Sequence, residues 1–136
     1  MGIIGVMMAI TTKTGDGGWT NFLGKKVKKN SQEIEMIGNL DELQAVLLMV
    51  NLKKIAEDVG RIMSGKKTEV NLDKEIKKVE KSVKPMNKFV IFSNKRAIYL
   101  NWARTVTRRA ERSFNSVYLN RLSDYLYLLA LKEEQK

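Results

Sequence analysis

Four stretches of this 136-residue chain carry apolar residues at helical spacing, and that periodicity constrains the fold more than any other feature. Leu43, Val46, Leu47 and Val50 begin the first stripe, which continues through Ile55, Val59, Ile62 and Met63 to Gly65. Leu72, Ile76, Val79 and Val83 form the second. Leu100, Ala103, Val106, Ala110 and Phe114 form the third, and Leu119, Leu122, Leu126 and Leu129 the fourth. Residues three and four apart share one face of a helix, so each stretch reads as an amphipathic helix. Asn39 can cap the first helix, with Glu42 at the capping-box position, and this helix is expected to run on as one piece bent near Gly60. Pro85 ends the second. Phe89–Ser93 has strand propensity, but its place between helices makes it an extended apolar connection. The expectation is an all-α fold, an up-and-down bundle of four to five helices. One domain covers residues 1–136, with 1–9 a flexible tail and 10–30 a glycine-rich loop.

Composition narrows the chemistry. The chain has no Cys and no His. Thiolate metal sites, a cysteine nucleophile and the usual general base are therefore absent. Any reaction must rest on Arg, Lys, Asp, Glu, Asn and backbone groups, or be carried by a bound cofactor. The net charge of +10 favours anionic partners such as nucleotide phosphates or nucleic acid. No apolar run is long enough to span a membrane. The apolar start MGIIGVMMAI lacks a basic leader, so it reads as a tail or as an early start ahead of Met7 or Met8. A cytoplasmic location is the default expectation.

Three polar patterns stand out against the stripes. In Asn101–Arg112 (NWARTVTRRAER), Arg104, Arg108 and Glu111 fall on one helix face, with Arg112 beside Glu111. Guanidinium groups bind phosphate oxygens bidentately and stay charged at any working pH, so this face suits a polyanion. It equally suits a solvated surface with i,i+4 ion pairs. Thr12–Thr20 (TKTGDGGWT) combines hydroxyls, a lysine and three glycines, as a phosphate-cradling loop does, without the order of a Walker P-loop, and by itself reads as readily as an ordinary turn with a basic tail. Asn120 and Asp124 lie one turn apart on the last helix, able to meet a nucleotide edge and to brace an arginine. The lysine-rich second helix leaves nucleic-acid binding as another use of the charge, but aromatic residues are not interleaved with it, as a stacking surface requires.

These segments, with Gly38–Leu43 (GNLDEL), Phe89–Ser93 (FVIFS) and Tyr118–Asp124 (YLNRLSD), occur in an order that resembles the PduO-type ATP:cob(I)alamin adenosyltransferases. The resemblance covers nearly the whole chain. It implies a helical bundle that forms a homotrimer, with sites between adjacent subunits. The activity implied is transfer of the 5′-deoxyadenosyl group of ATP to cob(I)alamin, with Mg²⁺ on the phosphates. Thr12, Lys13, Thr14, Gly15, Asn21, and Trp19 or Thr20 would lie along the nucleotide. Lys29, or Lys28 by a one-residue slip, would hold phosphate. Arg108 and Arg112 would face the triphosphate, Glu111 would orient the nucleotide or the metal's water shell, and Arg109 is carried over among the binding positions. Asn120 and Asp124 complete that side. Asp41 would pair with Arg104 across a subunit interface beside the corrinoid, and Phe89 would sit under the corrin. A reductase or a cobalamin-dependent enzyme is the protein partner implied. The chain departs from the family pattern at Phe92, where the family has proline, at Asn101, often histidine, and in the short link Ser113–Leu119. That link predicts either a tight antiparallel turn or a different helix course. A catalytically silent relative, or a basic helical protein that binds nucleic acid, is the competing expectation.

Overall fold

The computed structural model describes residues 16–22, 25–28, 31–86 and 88–136. Thr12, Lys13, Thr14, Gly15, Lys29 and the expected tail 1–9 lie outside the described residues. The chain divides into two compact units, Met1–Glu35 and Met36–Lys136.

In the first unit, β1 (Trp19–Phe22) pairs antiparallel with β2 (Lys25–Lys28), with Thr20 opposite Val27 and Asn21 opposite Lys26. This hairpin is the one β element among the described residues, and the helical periodicity gave no sign of it. Gly18 precedes it at φ +84°, a conformation that glycine adopts without Cβ strain. The ammonium groups of Lys26 and Lys28 lie 6.0 and 5.6 Å from the Trp19 ring centroid. Alternation along β2 puts both lysines on the side of Trp19, within cation–π range.

Five helices follow: α1 (Gln32–Met49), α2 (Lys53–Met63), α3 (Leu72–Glu80), α4 (Lys95–Ser113) and α5 (Val117–Glu134). The expected helical bundle is therefore present, with two corrections near its start. The first helix begins seven residues before Asn39, behind Ser31, whose Oγ accepts from the Ile34 N–H at 3.4 Å. Asn39 is instead buried inside α1. The expected single helix through residue 65 is also broken, at Asn51, where φ is +63°. The Leu52 N–H bonds to the Leu47 carbonyl and the Asn51 N–H to the Leu48 carbonyl. That pair of bonds around a left-handed residue is a Schellman stop, and asparagine tolerates it best after glycine. Gly60 lies inside α2. It lets Gln44 of α1 approach, since a Cβ there would stand 2.9 Å from Gln44 Nε2.

The later helices follow their caps. Asn71, Asn94 and Ser116 each accept a backbone N–H at the start of α3, α4 and α5. The short link Phe114–Ser116 makes α4 and α5 a tight antiparallel pair, with Arg96 of the first turn of α4 reaching Glu133 near the end of α5. Ala97, Ala103, Ala110 and Ala130 are fully buried, and such small side chains let helix axes approach closely. Leu100, Leu119, Leu122 and Leu126 are buried as the stripes require, each worth roughly 1.5–3 kcal/mol of transfer free energy.

One buried polar cluster fastens the α2–α3 connection. The Asp58 carboxylate is fully buried and accepts from the Glu69 and Val70 N–H groups, Arg61 Nη1 and the Tyr118 hydroxyl, at 2.7–2.9 Å. Burial works against its charge. The hydrogen bonds from Val70, Glu69, Tyr118 and Arg61 outweigh that cost and hold its pKa below 3.8. Burial, and then the bond to Asp58, push the Tyr118 phenol up from 10.0. An unfolded tyrosine deprotonates first as pH rises past 10, so the stability that neutral Tyr118 contributes is complete below that pH and lost above it. Tyr118→Phe should cost about 1–2 kcal/mol at neutral pH and make the alkaline decline shallower, as chemical denaturation at pH 7 and pH 11 would read. An unchanged alkaline slope would contradict this account.

Candidate active site

The antiparallel pairing of α4 with α5 sets the polar face of one helix beside that of the other. Arg112, Glu111 and Arg108 line a small pocket with Asn120 and Ser123. Further along, Arg108 and Ser123 are joined by Arg104, Asn101, Asp124 and Tyr127, with Lys88, Phe89, Val90 and Phe92 of the α3–α4 connection, around an open cavity of about 690 Å³. Arg108 and Ser123 line both. The two spaces therefore form one groove, guanidinium-rich at one end and walled by aromatic side chains at the other. The tight turn expected from the short link is what brings Asn120 to Arg108.

Individual positions follow from local packing. Arg104 Nε donates to Asn101 Oδ1 at 2.8 Å, and its guanidinium carbon lies 6.0 Å from the Tyr127 ring centroid. Both contacts fix the rotamer of a side chain that would otherwise be free. Phe92 meets Tyr127 edge-on, with centroids 6.3 Å apart. Phe89 is 102% exposed, so this large apolar ring stands open to solvent. Among the described residues, Arg108, Arg112 and Asp124 have no ion-pair partner (Arg61, Arg96, Arg109 and Arg121 do).

Two carried-over positions are not brought to the groove. Arg109 turns to α1, where it pairs with Glu42 and donates from Nε to Asn39 Oδ1 at 3.1 Å. Its neighbour Arg108 points elsewhere because successive helical residues are about 100° apart. Asp41 is exposed on α1 and lines none of these spaces, and Arg104 finds its partners within α4 and α5. Thr20 and Asn21 fall in β1. Sequence reasoning missed Tyr127 and Ser123 as lining residues. Tyr127 lies three residues after Asp124, on the same helix face, and that spacing was its available signal, whereas Ser123 had none.

Elsewhere, a cleft of about 720 Å³ is lined by Lys53, Lys54, Arg61 and Lys74, interleaved with Glu57, Glu69 and Glu75. Its mixed charge makes it a weaker anion site than the arginine end of the groove.

A family model described as cobalamin adenosyltransferase matches residues 10–133. The chain belongs to the cobalamin adenosyltransferase family. It is 30% identical to the corrinoid adenosyltransferase PduO of Salmonella typhimurium, over 93% of this chain and 50% of that protein. The chain thus spans about half the length of this relative. A corrinoid adenosyltransferase of Bacillus subtilis is also 30% identical, over 90% of this chain and 85% of that one. Among solved structures, a variant PduO-type ATP:corrinoid adenosyltransferase from Lactobacillus reuteri complexed with cobalamin and ATP superposes with a TM-score of 0.80. It covers 93% of this chain and 94% of its own at 22% identity, which shows the shared fold. An ATP complex of another variant of that protein gives the same TM-score of 0.80 at 24% identity. Family membership fits the five helices of the described residues and an arginine motif that lines a groove.

Proposed function

We propose that this adenosyltransferase-family chain transfers the 5′-deoxyadenosyl group of ATP to the Co(I) of cobalamin, giving adenosylcobalamin and triphosphate. The observation that carries the reading is the graded groove, in which Arg108 stands between a polar pocket and an aromatic-walled cavity. The Co(I) lone pair attacks C5′ of ATP, the Co–C bond forms as the C5′–O bond breaks, and triphosphate leaves with that electron pair. Cobalt is itself the nucleophile, so a chain without His or Cys needs no side chain to be deprotonated. The protein's work is to align C5′ with cobalt and to stabilise charge on the departing phosphates.

Arg108 and Arg112 take the triphosphate, and Asn120 and Asp124 hold the nucleotide. The aromatic wall takes the corrinoid, with Phe89 against the corrin and Arg104 at its edge. A corrinoid exceeds what an open 690 Å³ cavity can enclose, which supports a site completed by a second subunit. Leu48, Met49, Ile98 and Trp102 are exposed on α1 and α4 and are suited to such an interface. A homotrimer with Asp41 of one copy against Arg104 of the next is the assembly we infer. Thr12, Lys13, Thr14, Gly15, Thr20 and Asn21 are assigned to the nucleotide and Lys29 to its phosphates, and Arg109 would support the site through α1. Among the described residues no group of three acidic side chains could cage a metal. Mg²⁺ is assigned to the phosphates, and Glu111, which lines the small pocket with Arg108 and Arg112, is the carboxylate we assign to its water shell. When bound, the ion would neutralise phosphate charge. No helix among the described residues is long and apolar enough to cross a membrane. We infer a cytoplasmic location, and a reductase or a cobalamin-dependent enzyme as the protein partner.

The test is to mix the protein with ATP, Mg²⁺ and chemically reduced cob(I)alamin. Light-sensitive adenosylcobalamin and triphosphate should form in equal amounts. Binding of both substrates without product would leave a silent relative, and steeply salt-dependent RNA binding without either would favour the nucleic-acid reading.

A further inference from the structure

We propose that Glu134 and Gln135, at the end of α5, are positioning residues that clamp both ends of the connection carrying Phe89. Glu134 Oε1 accepts from the Ser93 and Asn94 N–H groups at 2.8 and 2.9 Å, and Oε2 accepts from the Ser93 hydroxyl at 2.6 Å. Gln135 Oε1 accepts from the Lys84 N–H at 2.9 Å, and its Nε2 donates to the Lys84 carbonyl at 3.0 Å. Two consecutive side chains thus hold the two ends of one segment whose described residues form no helix or strand.

The segment between these grips lines the aromatic end of the groove with Phe89, Val90 and Phe92. Phe92 is held by Tyr127, but Phe89 is fully exposed, with no packing among the described residues to fix it. Its position is therefore set by where the segment starts and ends. Ordering a loop costs roughly 1–2 kcal/mol per residue, and a clamp meets part of that cost before the ligand arrives. The Ser93 hydroxyl, then the Asn94 and Ser93 N–H groups, hold the Glu134 carboxyl below its usual range, as expected of a carboxylate with three donors. Asn94 also caps α4, so the same clamp fixes the start of the helix that carries the arginines.

The inference rests on the adenosyltransferase reading only in taking this wall as the corrinoid side. Its test compares the full chain with Glu134→Ala, Gln135→Ala and the conservative Glu134→Gln, which keeps one accepting oxygen. Hydrogen exchange at the Ser93, Asn94 and Lys84 amides reads the clamp directly, without activity. Exchange at the Ser93 and Asn94 amides should quicken by about tenfold or more in Glu134→Ala, at the Lys84 amide likewise in Gln135→Ala, and at Ser93 and Asn94 less in Glu134→Gln. In the transfer assay, KM for the corrinoid should rise about fivefold or more in Glu134→Ala while KM for ATP stays within about twofold. Unchanged exchange would overturn the clamp. Equal rises in both KM values with a lowered Tm would overturn the positioning role in favour of general destabilisation. A wild-type protein that transfers nothing would instead overturn the enzyme reading, and the exchange data would still decide the clamp.

Discussion

Arg108→Ala lowers the rate of adenosyl transfer by about 10²–10³-fold, the usual consequence of removing one preorganised donor from a developing anionic charge. Arg108 lines both parts of the groove, so it is the side chain able to follow charge from the C5′–O bond onto the triphosphate. The loss should fall on kcat as well as on kcat/KM, because the interaction strengthens as the bond breaks. Arg108→Lys keeps the charge but not the planar fork, and an intermediate loss is expected. Arg108 is exposed and outside the core, so the Tm should barely move. Steady-state kinetics with Tm measured on the same preparations checks both statements. Full activity in Arg108→Ala would remove the arginine face from the mechanism.

Asp58→Ala costs about 3–5 kcal/mol, the largest stability effect expected of a single substitution here. Four donors converge on this buried carboxylate, two of them backbone N–H groups that no rotamer change can redirect. Truncation leaves Arg61 without its buried partner and releases Glu69 and Val70, and with them the connection from α2 to α3. For a domain of this length the loss corresponds to a fall in Tm on the order of 10–20 °C. Asp58→Asn keeps one acceptor but turns an amide toward N–H donors, so its cost should also be large. The pH dependence has a definite sign. Asp58 is held below its ordinary 3.8, so the folded state keeps the carboxylate charged where the unfolded state already takes up a proton. Its contribution is complete above 3.8 and is lost as pH falls through the lower folded value. Asp58→Asn lacks that component and should show a shallower acid limb in denaturant titrations between pH 6 and pH 2.5. Equal acid limbs in both proteins would contradict the assignment.

The stripes were legible because burial follows helical spacing. Leu43, Val46, Leu47, Leu100, Val106, Leu122 and Leu126 are all buried where the periodicity places them. Helix ends were less legible, since an apolar stripe does not register a change of axis. Val50 and Ile55 stand five residues apart, a skip in the three-to-four spacing, and that skip and Asn51 were the local signals of the Schellman stop. Asn39 resembled a cap by type, but its side chain serves Arg109 and Ser113 from inside a helix. The groove was half legible. Arg104 and Arg108 share a face by spacing alone, and the helical wheel also separates Arg109, which the family resemblance had grouped with them. What spacing cannot give is partnership between distant segments. Nothing local joins Phe92 to Tyr127, Asp58 to Tyr118, or Glu134 to Ser93, and each of those pairs exists because the chain has already folded.

If the arginine end of the groove is the nucleotide site, a crystal structure with bound ATP will show it. The account expects the triphosphate on Arg108 and Arg112 beside Asn120, with the ribose directed toward Tyr127 and Phe89. ATP seated in the mixed-charge cleft of Lys53, Lys54, Arg61 and Lys74, with the arginine groove empty, would contradict it.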